Sequence, residues 1–254
     1  MTCAQVLYDS AFYRYRASLA YSGAVVDGFA PINAVDWRDF SIFTAAAGTT
    51  YIKVQCTAAA LIDCAVAWAP AGGVGAVTMA LAWSADDVTY TPIVAVPVVD
   101  TGVPVWVDFA PVTVPLNGWI RLAISGASNW RLLSVGAKLQ FPTGQWSGLN
   151  PLTLYQGVIR ENVVAVNGSI IGSNIRRTQK QGTISLQFLR PEWVRSTWEP
   201  LAKHAGRFPF WYRWDPTGHP AEVAFAAASD ISAPTNDRPP PLMKVDLPML
   251  AITD

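Results

Sequence analysis

From about Trp37 to Phe141 the chain is a succession of short apolar runs, each closed by turn residues: FSIFTA, TYIKVQC, LIDCAVAWA, AVTMALAWS, YTPIVAVPVV, VWVDFAPVTV, WIRLAIS and WRLLSVGAKLQF. Strands recurring every roughly 8 to 12 residues are the pattern of a β-sandwich or jelly roll. The punctuation agrees, since AGGVG, ADD, DTG, Asn117-Gly118 and GASN tolerate positive φ or bond their own backbone. In VWVDF, Val105, Val107 and Phe109 fall on one face while Trp106 and Asp108 fall on the other, and no stretch in this half keeps a helical period. Cys64 to Trp83 is apolar and uncharged enough to imitate a membrane span, but Pro70, Gly72, Gly73 and Gly75 at its centre predict two strands and a turn.

The pattern changes after FPTGQWSGLNP, a linker-like connection from about Phe141 to Pro151. The expected organisation is an N-terminal segment 1–22, a jelly roll over 23–145 and a second domain over 146–254. In the second domain NVVAVNGSI, Ser169 to Arg176 and GTISLQFL read as three strands, with RRTQK as the loop between the last two. A helix follows from Pro191, with Val194, Trp198, Leu201 and Ala202 on one side. Pro200 interrupts it, so a restart at Ser196 is expected, with Ser196 and Glu199 as a capping box and Gly206 as the stop. FPFWYRWDP, AEVAFAAAS and a run around MKVDLPML supply three more strands, an α+β arrangement in which the helix covers a sheet. RPPP, from Arg238 to Pro241, is a stiff loop.

Composition narrows the function classes. The 254 residues carry 18 Lys+Arg against 18 Asp+Glu, a net charge of zero, which argues against nucleic-acid binding by a basic face. Charged residues are only 14% and hydrophobic ones 51%, so much surface is expected to be hidden against partners. Residues 1–146 hold 7 basic and 9 acidic side chains and residues 147–254 hold 11 and 9, giving halves of −2 and +2. Cys3, Cys56 and Cys64 form no CxxC pair and stand apart from His204 and His219, so no zinc motif, cofactor or structural disulfide is read; free thiols in a reducing compartment are expected.

Catalytic constellations are sparse. Neither His204, in the last helical turn, nor His219, in DPTGHP, sits in a nucleophile motif, and His204 reads as a surface residue favoured by the helix dipole. Asp86 with Asp87, or Asp36 with Asp39, could be nominated as paired acids, but two acids in one turn are ordinary in β proteins. No phosphate-cradling glycine motif is present. Arg176, Arg177 and Lys180 form the one basic cluster, either a solvated hairpin tip or a loop facing a subunit interface or channel. Of the eleven tryptophans, Trp37, Trp106, Trp119, Trp130 and Trp146 are candidates either for stacking platforms against sugar rings or for core and interface positions.

Two resemblances emerge from these segments. WSADDVTYTPI, then VWVDF, WIRLAISG and LLSVGAKLQF, resembles the galactose-binding-like (discoidin) jelly roll, with Ser84, Asp86 or Asp87 and Tyr90 in its turn motif and Arg121 in a later strand. Sugar-contacting residues of that family lie in variable loops, so none is carried over. The second half, through NGSIIGSNIRRTQKQGTISLQF and PEWVRSTWEPLAKHAGRFPFWYRWDP, is similar to the distal-tail and minor-tail proteins of long-tailed bacteriophages. The residues carrying that likeness are His204, Gly206, Pro209, Phe210, Trp214 and Pro216. It implies a tail-tube-like β-sandwich or barrel with one flanking helix, closing into a ring of itself, commonly six-fold and sometimes three-fold, around a DNA channel. It also implies tail tube, hub and fibre proteins as partners, residence in a virion tail assembled in the host cytoplasm, and no enzymatic, membrane or sequence-specific nucleic-acid role. The rival expectation is a module that binds host-surface glycans. Residues 4–22 are expected to pair back into the second domain's sheet.

Overall fold

The computed structural model describes residues 3–38, 40–75, 77–98, 102–143, 157–166, 168–236 and 241–252. In chain order the strands are β1 (Gln5–Leu7), β2 (Ala20–Ser22), β3 (Phe43–Ala45), β4 (Thr49–Gln55), β5 (Ala60–Trp68), β6 (Val77–Ser84), β7 (Thr91–Val98), β8 (Val105–Val114) and β9 (Trp119–Ser125). They continue as β10 (Ser128–Trp130), β11 (Leu132–Gly136), β12 (Leu139–Gln140), β13 (Gly157–Val164), β14 (Ile170–Leu189), β15 (Phe210–Arg213), β16 (Val223–Ala228), β17 (Thr235–Asn236) and β18 (Met243–Ile252). The molecule is mainly β, and residue contacts divide it into two units, Val6–Leu139 and the combination of Met1–Gln5 with Gln140–Asp254.

The first unit is a jelly-roll sandwich. One sheet runs β2-β4-β9-β6-β7, the other β11-β5-β8, and β3 pairs with β10 at the side. Alternation along the strands decides which face each residue takes. Ile52, Val54, Met79, Leu81, Ile120, Leu122 and Ile124 of the five-stranded sheet are buried in one cluster with Ile62, Val114, Leu133 and Val135 of the other. Each such side chain contributes about 1.5–3 kcal/mol by leaving water. The residues between them, Tyr51, Lys53, Ala80, Ala82, Arg121 and Ala123, take the outer face and are half-buried. The apolar stretch from Cys64 to Trp83 is two strands, β5 and β6, separated by the Pro70–Gly73 turn, in which Gly73 N–H donates to the Pro70 carbonyl at 2.9 Å. No helix among the described residues is long and apolar enough to cross a membrane. Cys56 and Cys64 are buried free thiols, and burial pushes Cys56 up to about 11.

The second unit is built on a sheet ordered β12-β1-β15-β16-β18-β14-β13, with β17 pairing β18. Gln5–Leu7 thus joins this sheet, whereas Ala20–Ser22 pairs with β4 of the jelly roll. Alternation along β18 buries Val245, Leu247, Met249 and Ala251, and Ile184 and Leu186 of β14 are buried with them.

Two expectations are corrected here. The segment RRTQK is not a loop: Arg176, Arg177 and Lys180 lie within the single twenty-residue strand β14. No glycine or proline breaks residues 173–181, and the backbone stays paired because β13 takes its first half, up to Gln179, and β18 takes the rest from Lys180. The helix also does not restart at a capping box. It runs from Pro191–Trp193 (α2) through one π-helical turn, Val194–Trp198, into Glu199–Ala205 (α3). Pro200 has no N–H and its ring crowds the carbonyl four residues back, and the wider π turn makes room for it. Ser196 Oγ meets Thr197 Oγ1 at 3.2 Å, and Glu199 pairs with Lys203 at 2.7 Å, one turn on, so neither caps. Val194, Trp198, Leu201 and Ala205 form the buried stripe, and Ala202 is only half-buried.

Candidate functional site

A grouping of aromatic and charged side chains lies on the outer face of the five-stranded sheet, near the turn between β6 and β7. That turn is built by Asp86. Its Oδ1 accepts from the Val88 and Thr89 backbone N–H groups, both at 3.0 Å, and from Ser84 Oγ at 2.8 Å. These bonds, Thr89's first, lower the carboxyl to about 2. The turn places Asp87 at φ 62, a left-handed conformation that Asp tolerates better than most residues, and directs its carboxylate across the sheet.

Asp87 Oδ2 accepts from Lys53 Nζ at 2.5 Å, and Oδ1 accepts from the Tyr90 hydroxyl. Burial works to raise the Asp87 carboxyl, but these two bonds and the charges of Lys53 and Arg121 hold it below its ordinary value. Burial, then the bond to Asp87 and that residue's charge, push the Tyr90 hydroxyl upward, so it stays a neutral donor. Lys53 Nζ lies 4.8 Å from the Trp119 ring centroid. The Arg121 guanidinium lies 3.6 Å from the Tyr90 ring centroid and 5.0 Å from that of Tyr51. Cation–π contacts of this kind hold a planar guanidinium in place.

Register explains the convergence. Arg121 on β9 stands opposite Lys53 on β4 and opposite Ala82 on β6, and Ala123 stands opposite Tyr51 and Ala80. Ala80, Ala82 and Ala123 therefore make a floor of small side chains on the outer face, with Tyr51, Tyr90, Trp119 and the two cations standing around it. Direct opposition of Lys53 and Arg121 is unfavourable in a sheet, and the Asp87 carboxylate and the aromatic rings offset it. The arrangement can stack a flat ring and meet it with donors and acceptors already fixed in place.

The other nominated residues are placed as follows. Trp37, Trp106 and Trp130 are buried, Trp119 is half-buried, and Trp146 lies outside the described residues. No tryptophan among the described residues is fully exposed. The Trp106 indole donates to Asp108 at 3.1 Å and that of Trp130 to Ser128 at 2.9 Å, and Trp130 lies in the hydrophobic core of the sandwich. At the other end of the sandwich Arg131 lies 5.0 Å from the Trp68 ring, but that ring is only 2% exposed and Asn129 Oδ1 is taken by Thr44. Asp36 accepts from the Arg38 N–H and Ser41 Oγ, both at 3.1 Å, and its proposed partner Asp39 lies outside the described residues.

In the second unit His204 is not a free surface residue. Its Nε2 is 3.2 Å from the Pro209 carbonyl and its ring lies 5.4 Å from Phe208; burial lowers its pKa by more than the hydrogen bond with the Pro209 carbonyl raises it. Gly206 follows the helix and donates to the Ala202 carbonyl at 3.0 Å, and Phe210 is buried at the start of β15. Trp214 stacks on His219 at 5.4 Å and donates to Glu222, beside the Asp215 turn that contains Pro216. Of the six residues, His204 and Gly206 close the helix, Phe210 opens β15, and Trp214 and Pro216 stand at the turn that follows it. A depression of about 620 Å³ near the helix end is lined by Ala202, Phe208 and Ile231, with Lys203 already bonded to Glu199. Nothing is described of the Arg176 and Arg177 side chains, and Lys180 is half-buried. Among the described residues no group of three His, Cys, Asp or Glu side chains could hold a metal.

Sequence reasoning named Asp86 or Asp87, Tyr90 and Arg121 together through the jelly-roll resemblance and Trp119 as a platform or core candidate, and it missed Tyr51 and Lys53. The signal was the polar alternation of TYIKVQ, but only the pairing of β4 with β9 brings it beside Arg121.

No protein-family model matches this chain, and no curated protein matches it. Solved structures do. A pectin-binding carbohydrate-binding module is 15% identical and covers 47% of this chain and 88% of its own, with a TM-score of 0.39. A CBM32 module from Clostridium perfringens, in complex with GalNAc-β-1,3-galactose, is 14% identical over 48% of this chain and 98% of its own, at 0.39. The C-terminal domain of a chitobiase from Bacteroides fragilis is 10% identical over 50% and 97%, at 0.41. At identities of 15% or less and TM-scores of 0.41 or less, function has to be read from this chain's own residues.

Proposed function

We propose that the jelly-roll unit is a carbohydrate-recognition module whose ligand lies on the outer face of the five-stranded sheet. The observation that carries this reading is the alanine floor of Ala80, Ala82 and Ala123, surrounded by Tyr51, Tyr90 and Trp119 and by the fixed polar groups of Lys53, Asp87 and Arg121. A pyranose has an apolar face suited to an aromatic ring and hydroxyls suited to such groups. Binding rather than cleavage fits the acids, because neither Asp86 nor Asp87 is pushed up as a general acid requires.

The test is a glycan-array screen of the full chain, followed by calorimetry on the best binder with Tyr51→Ala and Trp119→Ala, each checked for a native melt. Each lost stacking contact is worth about 0.5–1.5 kcal/mol, roughly a two- to tenfold loss of affinity. An array without binders, or variants that bind as the parent does, overturns the reading.

A second reading has one observation of its own. In the other unit Val163, Val166 and Ile171, at the end of the β13–β14 hairpin, are 55%, 111% and 69% exposed. Apolar residues gathered at a hairpin end suit burial against another subunit, as in a phage tail-tip protein that closes into a ring and joins tail tube to baseplate or fibres. Light scattering of the purified chain tests it: a closed ring of six or three copies supports this reading, and a monomer that stays monomeric with Val166→Lys removes the hairpin from consideration.

A further inference from the structure

The outer face holds one strong hydrogen-bonding group that its neighbours leave unused. Lys53 is committed to Asp87, Asp87 to Lys53 and Tyr90, and Asp86 to its own turn. Arg121 lies against rings and within electrostatic reach of Asp87, without a bond to it. Its guanidinium lies against Tyr90 and near Tyr51, and it has no hydrogen-bond or ion-pair acceptor among the described residues. An arginine carries five N–H donors in a rigid planar fork. The ring contacts, at 3.6 and 5.0 Å from the guanidinium carbon, use none of these donors.

Charge points the same way. The two cations stand directly opposite each other, and one carboxylate, Asp87, is shared with the neutral hydroxyl of Tyr90. Asp87 pairs with Lys53 at 2.5 Å, and the Asp86 carboxylate is taken up by the backbone N–H groups of its own turn, so Arg121 is the charged group of this cluster left without an acceptor among the described residues. Beside it, opposite on β6, stands the small side chain of Ala82.

We propose that the ligand of this face is an acidic sugar, and that the carboxylate of a uronic acid residue accepts a paired, coplanar set of hydrogen bonds from Arg121. The inference rests on the carbohydrate reading above and adds the chemical class of the sugar. A carboxylate matches the fork in geometry as well as charge, and such pairs are about twice as strong as neutral hydrogen bonds. Tyr51, Tyr90 and the alanine floor then receive the sugar ring, and Lys53 stays paired with Asp87.

Calorimetry on the full chain separates the possibilities. The probes are galacturonate, glucuronate and mannuronate tetrasaccharides, their methyl esters, the corresponding neutral tetrasaccharides and a sulfated galactose tetrasaccharide. The expected result is that one uronate binds, that its methyl ester binds at least tenfold more weakly, and that affinity falls with added salt. Arg121→Lys, which keeps the charge but not the fork, should lose about tenfold toward the uronate and leave the melt unchanged. Arg121→Gln should lose more. Equal affinity for acid and ester, a sulfated sugar preferred over every uronate, or Arg121→Lys binding as the parent does overturns the inference. Binding of neutral sugars alone overturns it while the carbohydrate reading stands, and silence from every probe removes both.

Discussion

Asp87→Asn isolates the polar centre of the outer face. In the parent, Asp87 accepts from Lys53 and from Tyr90, with the Lys53 and Asp87 side chains 30% and 27% exposed. A hydrogen bond to a charged group is worth about 1.5–3 kcal/mol, less where solvent screens it. The amide keeps one acceptor oxygen but turns an N–H₂ toward one of two donors, so the expected loss is about 2 kcal/mol at neutral pH. The pH dependence has a definite sign. Asp87 is lowered, so its contribution is present above its ordinary value of 3.8 and lost as pH falls through its folded value. Tyr90 is raised, so its contribution is complete below 10.0 and lost as pH climbs through its folded value. Of the causes that raise Tyr90, burial survives the substitution, while the bond to Asp87 and that residue's charge do not. Tyr90 should therefore ionise at lower pH in the variant, yet still above an ordinary tyrosine. Urea unfolding at pH 7 gives the first quantity, and ¹³C-labelled tyrosine NMR, assigned with Tyr90→Phe, gives the second. A Tyr90 titration unchanged by the substitution, or a stability loss under about 0.5 kcal/mol, would refute the account of this site.

Two further outcomes follow from the packing. Gly136 is buried, and a Cβ there would press into the Asp9 carbonyl oxygen and stand 2.8 Å from Leu7 Cδ1. Gly136→Ala should cost about 2–3 kcal/mol by overpacking, seen as faster hydrogen exchange in β5 and β11, and protection equal to the parent's would contradict it. Ser196→Ala should change stability by less than about 0.5 kcal/mol, because its hydroxyl caps nothing. A loss near 1 kcal/mol in denaturant titration would reinstate the capping box.

The strands of the jelly roll were legible because each apolar run ends in turn chemistry and because β4 and β9 alternate strictly. Residues such as Ile52, Leu81 and Leu122 could be assigned inward from period alone. The outer-face site was not legible as a site. Its members come from three places about thirty residues apart, and only the antiparallel register sets Lys53 against Arg121. Strand β14 was missed for a different reason: its middle is polar and looks like a loop until its change of partner supplies the pairing that a loop would lack. The helix was found and its interruption at Pro200 anticipated, but sequence offered a cap where the chain used a π turn.

That change of partner gives β14 a mechanical character. Residues up to Gln179 pair with β13, and residues from Lys180 pair with β18, on the other side of the strand. A pull on the hairpin end along the strand axis would load the β14–β18 ladder in shear, so its hydrogen bonds would have to fail together. A sideways pull would peel the β13 pairs one at a time. The same twenty-residue strand thus resists tension along its length far better than it resists being peeled from the side.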